Sequence, residues 1–116
     1  MLPQDASTAA VAAMRVLSDR HDLRRRAEAS CRESLRAAAA EGDLNGLAEE
    51  HVQAVFERSA LVFDHGELSH PFVETRLGLY VPDPAGGWFR GLRPVGHYRL
   101  ITRLDGTDED DYLVLD

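Results

Sequence analysis

Residues 73–81 read Val-Glu-Thr-Arg-Leu-Gly-Leu-Tyr-Val. Val73, Thr75, Leu77, Leu79 and Val81 alternate with Glu74, Arg76, Gly78 and Tyr80, so one face is apolar and the other polar. A period of two is the mark of a half-buried strand. The run from Pro82 to Gly87 is a turn; Trp88 to Leu92 reads as a short second strand and Arg93 to Gly96 as another turn. Alternation resumes from His97 to Leu104. Asp105-Gly106 is a hairpin signal, and Tyr112 to Leu115 reads as a last strand. The C-terminal part is thus expected to be a four-stranded antiparallel meander. Its acidic run, Asp108 to Asp111, falls between turn and strand and is placed to pair with Arg103 or Arg99 or to stay solvated.

The N-terminal side has a different texture. The first 41 residues contain no Gly and only one Pro, Pro3. They are rich in Ala, Arg, Leu and Glu, all good helix formers. One helix from Asp5 to Glu41 would be about 55 Å long, more than a domain of this size spans. A break is expected at Ser18 to Asp22, where Asp19 can cap a new helix and the apolar positions shift. Ala10, Met14 and Leu17 form one stripe; Leu23, Ala27, Cys31, Leu35 and Ala38 form another. Two helices are preferred, with a kinked continuous helix as the alternative. Gly42 closes this region. Leu44, Leu47, Ala48, Val52, Val55, Phe56 and Phe63 fall on a helical stripe, so a third helix is expected to about Asp64. Residues Leu61 to Phe63 also read as a short strand.

Helices first and strands later give an α+β fold, since parallel βαβ units would alternate. The reading is one domain over 1–116, with two or three N-terminal helices (about 5–65) packed on the sheet (about 72–116). A chain of 116 residues with 44% apolar and 28% charged residues has the make-up of a single globular domain.

Composition narrows the function. The formal charge is −7, with 13 basic and 20 acidic residues. That balance argues against DNA or RNA as partner, because phosphate contacts need a positive face. No stretch approaches the ~20 apolar residues of a membrane span, and Met1 to Ala13 lacks the basic start of a secretory signal. Cys31 is the one cysteine; no internal disulfide is possible, and an Ala-rich helix suits it as an apolar filler. The expected location is the cytoplasm.

Motifs that carry chemistry are incomplete. Asp105-Gly106-Thr107 matches the end of the Asp-x-Asp-Gly-Thr motif of haloacid-dehalogenase-type phosphatases, but Arg103 stands where the nucleophile belongs. The run from Asp105 lacks the Gly and the third-position ligand of an EF-hand. Asp64-His65-Gly66-Glu67-Leu68-Ser69-His70 holds two imidazoles and two carboxylates, ligands that suit zinc, nickel or iron. His65, Glu67 and His70 are the metal candidates, with His97 or His51 as a distant third ligand; the plainer account is a polar connection. Arg24-Arg25-Arg26 points in several directions around a helix and reads as a solvated face.

If Val73, Thr75, Leu77 and Leu79 with Tyr98, Leu100, Thr102 and Leu104 face the helices, then Glu74, Arg76, Tyr80, His97, Arg99, Ile101 and Arg103 face out. Arg76, Tyr80, His97, Arg99 and Arg103, with Trp88 beside a Gly-rich turn, are the binding candidates: Arg and Tyr anchor interfaces, and Arg holds anions. The reading leans away from an enzyme, with no cofactor. It favours a small non-catalytic interaction domain of adaptor, chaperone or immunity type, partnered by another protein or by a second copy in a homodimer. Ala6 to Leu17 is the expected partner surface. The alternative is a small-molecule or metal-binding protein, or an enzyme, built around His65, Glu67, His70 and His97.

Overall fold

The computed structural model describes residues 3–64, 66, 68–85 and 91–116. Two helices, α1 (Pro3–His21) and α2 (Leu23–Ala40), precede four strands: β1 (Gln53–Val62), β2 (Phe72–Pro82), β3 (Leu92–Arg103) and β4 (Asp108–Leu115). The strands form one antiparallel sheet in the order β1-β2-β3-β4. This is the expected α+β architecture.

The helix break falls at Asp22, in the left-handed region at φ 51°. Asp visits that region more readily than most residues. Asp22 N–H bonds to Asp19 O and Asp22 O accepts from Arg26 N, so the backbone stays paired through the corner. Past α2, Gly42 at φ 75° ends the helix. Gly42 N–H donates to Ala39 O at 3.1 Å and Asp43 N–H to Ala38 O at 2.8 Å, a Schellman closure.

Helix α2 supplies the core. Leu23, Ala27, Cys31 and Leu35, spaced by four, are fully buried. Ala27, Cys31 and Leu35 share one apolar cluster with Leu77, Leu79, Tyr98 and Leu100 from the inner face of β2 and β3. Register pairs Val73 with Thr102, Thr75 with Leu100 and Leu77 with Tyr98, so the alternation read from sequence is the real one. Leu104 departs from it: it lies past the end of β3 and is exposed. The Tyr98 hydroxyl donates to Asp111 Oδ2 at 2.8 Å and the Ser34 hydroxyl donates to the same oxygen at 3.1 Å. Burial, then Asp111, pushes the Tyr98 pKa well above its ordinary value.

Three expectations are corrected. There is no helix over 44–64: after a short 3₁₀ turn (Glu49–His51), residues Gln53–Val62 are the first strand of the sheet. Val52, Val55, Phe56 and Val62 favour a strand, and a bulge between Phe56 and Arg58 breaks the period of two that would have revealed it. The sheet therefore begins inside the segment assigned to helices. Second, Arg93 to Gly96 is not a turn but part of β3, which bulges at Val95, opposite Leu79 and Tyr80 of β2, beside Pro94. The expected strand at Trp88 to Leu92 lies mostly outside the described residues; Leu92 itself opens β3. Third, the acidic run is inside β4, which starts at Asp108.

Arg32 ties the 3₁₀ turn to α2. Its guanidinium donates to Glu49 O (3.2 Å), Glu49 Oε2 (3.2 Å) and Val52 O (3.0 Å). Beyond this core, α1 extends outward. The Cα radius of gyration is 16.4 Å and the extents are 50 × 30 × 26 Å, against a radius of about 13 Å for a compact chain this size.

Gly96 is the tightest point of the sheet. At φ 154° its missing Cβ leaves room for the Val114 carbonyl of β4, which a side chain would strike. Gly96→Ala is expected to cost about 2 kcal/mol or more, from backbone strain and overpacking. Urea unfolding followed by circular dichroism checks this, and an unchanged midpoint would contradict the close approach.

Candidate functional site

The outer face of the sheet is a row of ion pairs. Glu74 on β2 is its centre: Arg58 of β1 lies 3.2 Å from Oε1 and Arg99 of β3 lies 3.0 Å from Oε2. The Arg99 guanidinium also stacks on Tyr112 of β4, 4.7 Å from the ring centroid. One chain of contacts thus crosses all four strands. Arg76 pairs with Glu57 at 3.1 Å, and Arg103 with Glu109 at 3.2 Å.

Glu74 is only 8% exposed. Burial works to raise its pKa, but hydrogen bonds and charge from Arg99 and Arg58 outweigh it and hold the carboxyl below its ordinary value. His97 sits opposite Gly78, with Tyr80 and Glu57 folded over that glycine. Partial burial, then Arg76 and Arg99, lower the His97 pKa and favour the neutral imidazole.

The residues picked from sequence are therefore partly assembled. Arg76, Tyr80, His97 and Arg99 share one face as expected, and Arg103 stands at its end. Their guanidinium groups are engaged by Glu57, Glu74 and Glu109, so the face is not an open anion cradle. Trp88 lies outside the described residues.

Of the metal candidates His65, Glu67, His70 and His97, only His70 and His97 fall among the described residues. His65 and Glu67 lie outside the described residues. His70 Nε2 is 3.0 Å from Glu109 Oε1, which carries the β1–β2 connection across the outer face to β4. Phe72 and Ile101 on that face are buried. His97 pairs six positions along β3 from Arg103, the partner of Phe72, which puts it about 20 Å from the His70 end. Among the described residues no group of three His, Cys, Asp or Glu is set to hold a metal. Cys31 is buried, and burial raises its pKa to about 11 against a small opposing effect of Arg32, so it is a core thiol and not a nucleophile.

An apolar groove lies on the other side. A groove of about 520 Å³ separates α1 from the inner face of β1, lined by Ala10, Val11, Met14 and Arg15 of α1 and by Phe56, Ser59 and Leu61 of β1, with Val73 at its floor. Arg24 of α2 stacks on Phe56 at 4.7 Å. Sequence reasoning found the α1 wall, within Ala6 to Leu17, but missed Phe56, Ser59 and Leu61. Their two-residue spacing from Ser59 to Leu61 was the one available signal, and the bulge set it out of step with Ala54 and Phe56.

No family model, curated protein or solved structure matches the chain. No helix among the described residues is long and apolar enough to cross a membrane.

Glu74→Gln is expected to cost about 1–3 kcal/mol at pH 7, because two guanidinium groups lose their shared carboxylate. The folded-state pKa lies below the unfolded one. The stabilisation is therefore complete above the unfolded value, about 4.3, and is lost as pH falls through the folded value. Denaturant titrations at pH 7 and pH 3 should show the gap between wild type and variant closing in acid; a constant gap would assign the effect to packing.

Proposed function

We propose that this chain is a non-catalytic cytoplasmic interaction domain that pairs with a second copy of itself through α1. The carrying observation is the outward face of α1. Ala9, Ala12, Ala13 and Val16 are all exposed there, with Val16 at 55%. Their spacing of three, one and three residues puts them on one side of the helix, opposite the side that lines the groove. A helix that is apolar on both sides is otherwise found buried.

A second copy fits this face. Alanines at its middle let two helix axes approach closely, and antiparallel pairing sets each positive helix end beside a negative one. Pairing along β4 is disfavoured, because Asp108, Glu109, Asp110 and Asp111 would face their own copies. A single 19-residue helix per copy is a small interface, so the association is expected to be weak, in the micromolar range.

Sedimentation velocity between about 1 and 200 µM is expected to show a monomer–dimer equilibrium, weakened at least tenfold by Val16→Asp. The variant should keep the wild-type unfolding midpoint, since the side chain is exposed. A wild type that stays monomeric throughout would overturn the self-pairing, and one that elutes from cell extract with a different stoichiometric polypeptide would replace the second copy by that partner.

A further inference from the structure

The groove on the other side of α1 has a chemistry of its own. Met14, Phe56, Leu61 and Val73 make it apolar, and Ser18 and Ser59 add two hydroxyls. Its volume falls in the range of small-molecule sites, about 300–1,000 Å³. Val11 at 52% and Leu61 at 42% remain exposed along it, so it is open to solvent.

Charge decides what kind of molecule suits it. The chain is net −7, yet no carboxylate lines the groove. Two guanidinium groups border it: Arg15, on its wall, and Arg24, stacked on Phe56. Arg15 makes no ion pair with any described residue. Every one of the three arginines the sequence singled out on the sheet face, by contrast, has a carboxylate partner. An unpaired guanidinium at an apolar cleft is matched by an anionic head on an apolar body.

We propose that the α1–β1 groove binds a free amphipathic carboxylate, with its hydrocarbon body against Met14, Phe56, Leu61 and Val73 and its carboxylate on Arg15. The ligand is a dissolved monomer of medium-chain fatty-acid type. A cleft between one helix and one strand suits a single hydrocarbon chain and not a lipid surface. The site is on the opposite face of α1 from Val16, so it stands independently of self-pairing.

The test uses the full chain and decanoate, with decanamide as its uncharged counterpart. Isothermal titration is expected to show saturable one-to-one decanoate binding, and the Met14 methyl resonance is expected to move with it. Arg15→Gln should weaken decanoate about tenfold and leave decanamide unchanged, as loss of one charge-assisted pair predicts. Ser59→Trp should fill the groove and remove both. Val16→Asp should bind decanoate as wild type does, which separates this site from the dimer. The proposal is overturned if wild type shows no saturable decanoate binding, if Arg15→Gln binds decanoate as tightly as wild type, or if binding survives Ser59→Trp unchanged. None of these outcomes depends on an unfolded variant, since Arg15 and Ser59 are both exposed.

Discussion

One helix cannot cover a four-stranded sheet, and most of this molecule follows from that mismatch. A helix with its side chains is about 10 Å across. Four strands at about 4.8 Å spacing present a face of roughly 15–19 Å. Helix α2 sits over the middle, where Ala27, Cys31 and Leu35 meet the inner face of β2 and β3. Its residual reach goes to β4 through polar contacts: Ser34 with Asp111, and Arg26 with Asp108. The far end of the inner side of β1, at Ser59 and Leu61, is left to α1. The turn at Asp22 sends α1 toward it without closing on it, and the groove is the remainder.

The two faces of the sheet are held by different physics. Over β2 and β3 the inner face is mostly apolar, with Thr75 and Thr102 fully buried in it and Tyr98 the one large polar-tipped residue, its hydroxyl satisfied by Asp111. The outer face is held by charge. Glu74 is nearly as buried as the core, which a carboxylate tolerates only with partners, and Arg58 and Arg99 supply them from the strands on either side. A shared carboxylate between two flanking strands fixes register, since a slip by one residue would send these side chains to the inner face. The arginines there are thus cross-links between neighbouring strands.

The sequence carried the middle of the sheet plainly and its edge poorly. From Val73 to Leu79 and from His97 to Ile101 each residue faces the side its alternation assigns, because both strands are central and pair without a bulge there. The break at Asp22 and the closure at Gly42 were legible for the same reason: local backbone chemistry decides them. Strand β1 was not. It is an edge strand with a bulge at its centre, and its apolar residues fit a helical stripe as well as a strand. Pro94 and Gly96 look like a turn in one dimension; in three they occupy a bulge and a close crossing with Val114. The binding candidates suffered from a related blindness, since pairing of Arg76 with Glu57 and of Arg58 with Glu74 requires knowing that β1 is a strand.

That missed strand also sets what α1 is for. With a helix over 44–64, the apolar N-terminal segment would have had a third helix to pack against. With β1 in its place, α1 has the groove on one side and solvent on the other. Both sides are apolar, yet they differ in chemistry: Ala9, Ala12, Ala13 and Val16 form an uncharged stripe of small residues, whereas Ala10, Met14, Arg15 and Ser18 carry a cation and a hydroxyl. A stripe of small uncharged residues is suited to another helix at close range. A cleft with one unpaired guanidinium is suited to a small anion with a hydrocarbon tail. The same helix thus presents two surfaces of different specificity, and its exposure comes from the geometry of the sheet and not from a shortage of apolar residues.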